Sequence, residues 1–157
     1  MSDRDFSHLD ETGGISMVDV GSKRNTSREA VASATVRMST STLQKLVDRA
    51  LPKGDVLTTA KVAGVLAAKQ TPSLIPLCHP LAISSVTVDL EVADDAVEIT
   101  ATVRTTDRTG VEMEALTAVA VAGLTVIDMV KAVDKRAVIT DIRVLAKSGG
   151  ASGDFVR

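Results

Sequence analysis

Asp128 and Lys131 stand three residues apart, a spacing that makes them neighbours on a helix surface. A carboxylate beside an ammonium is either a proton-transfer pair or an ordinary surface ion pair, and the spacing is common to both. Glu114, Val121, Asp128 and Lys135 follow one another by sevens, so one side of a long helix would carry all four. His79 is flanked by Pro76 and Pro80, which restrict its backbone. An imidazole held in this way can act as acid, base or donor to a phosphate near neutral pH, or do no more than bond a nearby carbonyl. Cys78 adjoins it, but adjacent side chains seldom face each other, so Cys78 reads as a small buried apolar group and not as a nucleophile. Lys53 in a Pro-Lys-Gly turn, Lys69 at a helix end, and Lys135 and Lys147 are scattered cations. Solvation is the usual fate of such lysines, yet a phosphate substrate needs several cations from separate segments. The loop Arg104–Gly110 opens onto a helix start, a favourable place for an anion. Neither G-x-x-x-x-G-K-[ST] nor G-x-G-x-x-G occurs, and two histidines with one cysteine are too few for a structural zinc site.

The elements that must position these groups follow from apolar periodicity. Ala30, Ala32, Ala34, Val36 and Met38 alternate with polar residues, which predicts a half-buried strand from Glu29 to Met38. Ser39 or Ser41 caps a short helix through Leu43, Leu46 and Val47. Asp55 is the expected N-cap of a second helix, Val56 to about Gln70, which Pro72 and Pro76 should stop. Val86 to Val92 and Val97 to Val103 alternate on either side of an Ala93–Ala96 turn, predicting a hairpin with one dry face. Thr109 and Glu112 match a capping box ahead of a long helix, Gly110 to about Lys131. Val138, Thr140, Ile142 and Val144 give the last strand. The order strand, helices, hairpin, helix, strand predicts an α+β, ferredoxin-like sandwich with an antiparallel four-stranded sheet packed by helices. Residues 1–157 form one domain, with a flexible N-terminal arm to about residue 27 and a C-terminal tail from about 147. Within the arm, Met17–Val20 is expected to dock as a short strand.

Composition narrows the class. Alanine and valine supply 42 of the 157 residues, and Phe6 and Phe155 are the only aromatics. Such a core buries little area per side chain, so part of the stability is expected from subunit contacts. A net charge of −2 argues against a general nucleic-acid binder. No stretch is expected to approach the ~20 apolar residues of a membrane helix. A polar N-terminus and a lone cysteine suit a cytoplasmic protein.

The strings SMVDV (16–20), PKGD (52–55), LIPLCHPL (74–81), TGVEMEALTAV (109–119), DMVKAVDK (128–135) and KSGGASGD (147–154) resemble the molybdenum-cofactor biosynthesis protein C family, the cyclic pyranopterin monophosphate synthases. The resemblance runs in order over nearly the whole chain. It implies an enzyme that rearranges a cyclised dihydro-GTP to cyclic pyranopterin monophosphate, with loss of diphosphate. It also implies Asp128 and Lys131 as an acid/base pair and Lys69 as a further catalytic lysine. Leu77, Cys78, His79, Met113 and Glu114 match substrate-contacting segments, and Lys53 and Arg28 match cationic positions near the phosphates. The family forms homohexamers, trimers of dimers, with sites between subunits. Its chemistry requires no metal, although magnesium can accompany the triphosphate. Ile127, Val130 and Gln70 depart from common family residues, at positions with no assigned chemistry. The rival reading is a non-catalytic small-ligand-binding module on the same scaffold. A nucleic-acid-binding sheet is poorer, because the strands offer no aromatic for base stacking.

Overall fold

The computed structural model describes residues 14–151 and 153–157. The elements are strand β1 (Thr26–Arg37), helices α1 (Thr40–Val47) and α2 (Val56–Leu74), strands β2 (Ile83–Val92) and β3 (Ala96–Asp107), helix α3 (Glu112–Val130), and strands β4 (Val138–Ser148) and β5 (Phe155–Val156). They form one antiparallel sheet in the order β2-β3-β1-β4-β5. The first four strands have the expected ferredoxin-like arrangement. The fifth is a correction to the four-stranded expectation, made by pairing Phe155 and Val156 with Lys147 and Ala146.

Alternation puts Ala30, Ala32, Ala34 and Val36 of β1 beside Val97, Ile99, Ala101 and Val103 of β3, all fully buried. α3 packs over β1, β3 and β4, and α2 over β2. Small side chains bring these layers together. At Gly64 of α2 an added Cβ would stand 3.0 Å from the carbonyl oxygen of Ala118 and 3.3 Å from the Cβ of Ala122, both in α3. α2 and α3 run antiparallel: Lys53, just before α2, bonds Asp128 near the end of α3, while Lys69 late in α2 shares a cavity with Glu114 at its start.

Several local expectations are corrected. α3 has a mean hydropathy of 1.7 over 18 residues, so by length and composition it could cross a membrane, contrary to the sequence reading; in this fold it is the central core helix. α2 runs on past Pro72 to Leu74. Pro72 offers no amide to Ala68, but the Ile75 amide donates to the Thr71 carbonyl at 2.9 Å and closes the last turn. Lys69 therefore lies inside α2 and not at its end. The Thr109–Glu112 capping box does not form: α3 has Val111 at its N-cap with no side-chain cap bond, and Glu112 pairs with Lys147 at 3.0 Å. α3 ends at Val130, so Lys135 lies beyond the face it was expected to share. Met17–Val20 forms no strand, Ile15 alone making a bridge. Asp55 and Ser39 cap α2 and α1 as expected, accepting from the amides of Thr58 and Thr42. Lys147 and Ser148, placed in the tail by the sequence reading, complete β4. Of the N-terminal arm, residues 1–13 lie outside the described residues.

Candidate active site

One end of the sheet gathers the chemistry. There β1 begins, β3 and β4 finish, and α3 starts, with Thr26 opposite Asp107 and Glu29 opposite Ser148. Two adjoining cavities of about 570 Å³ each open at this end and share Lys23, Thr109, Gly110 and Glu112 in their walls. They form one cleft with two characters.

The first cavity is cationic. Lys23, Arg24, Arg28, Arg108 and Lys147 line it, against the carboxylates of Glu29 and Glu112. The adjoining N-terminus of α3, whose first amides have no carbonyl partner within the helix, adds to the attraction for an anion. The Arg28 guanidinium donates from Nη2 to the Arg108 carbonyl at 3.1 Å, and its buried Nε has no acceptor among the described residues. Lys147 holds the Glu112 carboxylate from the floor of β4.

The second cavity is apolar with a few polar groups. Val18, Val20, Ile75, Leu77, Leu81 and Met113 enclose it, with Cys78, His79 and Glu114. The His79 ring makes no hydrogen bond to a carbonyl among the described residues, so no such tether occupies its nitrogens. Glu114 is 3 % exposed, and its carboxyl is pushed above the ordinary range by burial and, secondarily, by the neighbouring Glu112. Burial, then the Glu114 charge, raises the Cys78 thiol as well, which keeps it protonated; Cys78 is half-buried in the cavity wall and not the fully buried group expected from the sequence. Lys69 stands behind Glu114, lining a smaller cavity of about 170 Å³ with Pro72, Leu81 and Ile83.

Asp128, Lys131 and Lys53 are elsewhere. Lys131 Nζ and Lys53 Nζ each donate to the Asp128 carboxylate at 2.6 Å, and Lys53 also reaches the Asp128 carbonyl at 2.9 Å. The hydrogen bonds from Lys131 and then Lys53 lower the Asp128 carboxyl to about 2, so it stays ionised at neutral pH and clasps two ammonium groups. Fourteen residues of α3 separate Asp128 from Glu114, a distance of about 21 Å along the helix. The predicted residues thus divide into two groups at opposite ends of α3. Lys53 joins Asp128 and not Arg28, because the turn before α2 meets the end of α3. Sequence reasoning did not assign Lys23, Arg24 or Glu112 to the site; the signal was position, just after the SMVDV string for the two cations and within TGVEMEALTAV for Glu112, without any spacing rule.

A family model described as the MoaC family matches residues 17–150. The chain belongs to the MoaC family. The match begins at the arm residues that wall the second cavity and ends at Gly150 beside the first. Among relatives in this family, a cyclic pyranopterin monophosphate synthase of Streptomyces griseus subsp. griseus is 67 % identical over 152 residues, covering 97 % of this chain and 86 % of that protein. One from Nocardioides sp. is 62 % identical over 159 residues, covering 99 % and 98 %. The protein named cyclic pyranopterin monophosphate synthase 2 in Mycobacterium tuberculosis is 56 % identical over 153 residues, covering 98 % and 92 %. Of the residues that depart from common MoaC family choices, Val130 is fully buried and Ile127 packs against the core, so both act in packing. Gln70 is exposed on α2.

Proposed function

We propose that the protein is a cyclic pyranopterin monophosphate synthase of molybdenum cofactor biosynthesis, a phosphorus–oxygen lyase acting on a cyclised dihydro-GTP. The observation that carries the reading is the two-character cleft: five cations at one end and an apolar pocket with an imidazole and a buried carboxyl at the other. A nucleoside triphosphate derivative has the same polarity, with phosphates at one end and a flat heterocycle at the other. The near full-length relatives that carry this name support it.

In this reading Lys23, Arg28, Arg108 and Lys147 hold the triphosphate and stabilise the departing diphosphate. Leu77, Cys78, Met113 and Glu114 enclose the heterocycle. His79 moves a proton while the purine ring opens and the pyranopterin closes. A hydroxyl of the former ribose gives up its proton and attacks the innermost phosphorus; that P–O bond forms as the bond to the diphosphate breaks. Asp128, Lys131 and Lys53 act from a second copy, because about 21 Å of helix separates them from Glu114 within one chain. Lys69 completes the set beside Glu114.

The assembly is a homohexamer, a trimer of dimers. Val62 and Leu66 of α2 and Leu124 of α3 are each more than half exposed, as residues to be covered by another subunit would be. Any magnesium belongs to the triphosphate as its counter-ion. The reading sets the protein in the cytoplasm, where Cys78 stays reduced.

Incubation with the cyclised dihydro-GTP tests the proposal. Release of diphosphate together with a pterin product is expected. Tight binding without diphosphate release would instead make the chain a ligand-binding module.

A further inference from the structure

The glycine pair in the turn after β4 bears directly on Arg28. Gly149 and Gly150 both have left-handed backbones, with φ of +86° and +87°. Their surroundings differ. A methyl group at Gly149 would overlap the Ser27 carbonyl oxygen and lie 3.2 Å from its carbon, so Gly149 is required by backbone packing. A methyl group at Gly150 would overlap Nη1 of Arg28 and stand 2.7 Å from Cζ, and the three heavy atoms nearest it all belong to the guanidinium. Those atoms are the free end of a long side chain, so a larger residue at 150 would displace the guanidinium while leaving the backbone in place. The same guanidinium has one donor on the Arg108 carbonyl and a buried Nε without an acceptor among the described residues.

We propose that Gly150 is a positioning residue for Arg28: the missing side chain at 150 is the space that lets the guanidinium lie in the cationic cavity, aimed at a phosphate of the substrate. The proposal rests on the reading of that cavity as a triphosphate site. Gly150 lies in the wall of that cavity without a side chain to offer, and acts through Arg28. The turn that carries it therefore sets affinity for the phosphate chain by steric permission, without contributing a charge.

Inorganic triphosphate is the probe, with Kd measured by calorimetry on the full chain. Gly150→Ala is expected to weaken binding about tenfold or more, the loss of one charge-assisted contact. Gly153→Ala is the control for backbone strain: Gly153 has φ +73° and nothing within 4 Å of an added Cβ, so this variant should bind as the wild type does. In an Arg28→Ala background, Gly150→Ala should cause no further loss. Wild-type affinity in Gly150→Ala overturns the proposal, as does an equal loss in Gly153→Ala or an additive loss with Arg28→Ala. Should Gly150→Ala fail to fold, Arg28→Lys/Gly150→Ala decides, because the shorter-headed lysine vacates the contested space. Folding of that double variant with the affinity of Arg28→Lys supports the proposal, and its failure to fold overturns it. A wild-type protein that does not bind inorganic triphosphate refutes the reading of the cavity itself and takes the proposal with it.

Discussion

Asp134 offers a measurable link between the turn that follows α3 and the rest of the fold. It is 7 % exposed, and its carboxylate accepts from the Ser39 amide at 2.9 Å, the Arg136 amide at 2.9 Å and the Thr42 hydroxyl at 3.2 Å. Two of these donors belong to the start of α1, more than ninety residues away in sequence, so one side chain pins the Lys131–Arg136 turn to that helix. Asp134→Ala removes the acceptor from all three. Arg136 is an exposed residue whose amide turns to water, and the buried Thr42 hydroxyl keeps the Ser39 hydroxyl at 2.8 Å; the half-buried Ser39 amide has no such alternative. Leaving that donor unpaired costs about 1–3 kcal/mol, or roughly 3–10 °C in melting temperature for a domain of this size. Asp134→Asn separates charge from shape. The amide of Ser39, then that of Arg136 and the hydroxyls of Ser39 and Thr42, hold the carboxyl at about 2 against an ordinary 3.8. A carboxyl lowered by folding stabilises fully above its unfolded value and loses that contribution as pH falls from 3.8 to about 2. The deficit of Asp134→Asn relative to wild type is therefore largest at pH 7 and shrinks across that window. Urea unfolding of the three proteins between pH 7 and pH 2.5 measures it. An Asp134→Ala protein within about 0.5 kcal/mol of wild type at pH 7, the range of an ordinary surface change, would refute the reasoning. A deficit in Asp134→Asn that ignores pH would do so too.

Lys53→Ala and Lys131→Ala should each slow diphosphate release by about 100-fold or more with unfolding curves little changed, and the double variant should lose far less than the product; near-native rates in either single variant remove that lysine from the chemistry. His79→Ala should lower turnover while the unfolding midpoint holds, whereas normal turnover with a lowered midpoint would return His79 to a packing role. Burial raises the Glu114 carboxyl above its ordinary 4.5, so ionisation costs the folded state stability as pH rises beyond that value. Glu114→Gln should accordingly be more stable than wild type at pH 8, equal to it below pH 4.5, and slower in turnover; a less stable variant at pH 8 would mean that the ionised carboxylate has a partner in the fold.

Much of the fold was legible because its signals are local. The alternation of Ala30 through Val36 and of Val97 through Val103 marks strands, and Asp55 marks the start of α2 by its side chain alone. The errors came where a local rule met a distant partner. Glu112 has the spacing of a capping box, but Lys147, thirty-five residues on, holds its carboxylate. Pro72 reads as a stop, yet so close to the end of α2 it leaves only the Ala68 carbonyl without its helical donor. Each of the predicted groups lies in one of two clusters. That division was not legible in the sequence, because no periodicity records that Lys53 meets Asp128 across seventy-five residues. The cationic cavity was equally hidden: the arm before β1, the loop after β3 and the end of β4 each contribute a cation or two, and only the sheet register brings them together.

Helix α3 holds Glu114 in its first turn and Asp128 in its last, with core side chains between them. It behaves as a keyed shaft. One residue added to its middle would advance one end by 1.5 Å and rotate it by about 100°, turning one polar cluster into the core and core side chains toward solvent. Length changes are thus forbidden there, whereas the turn Ala93–Asp95 between β2 and β3, solvent-exposed and contributing no side chain to either cluster, can accept them. Insertions and deletions among relatives of this chain should therefore accumulate in that hairpin and at the chain ends and leave the nineteen residues of α3 in phase.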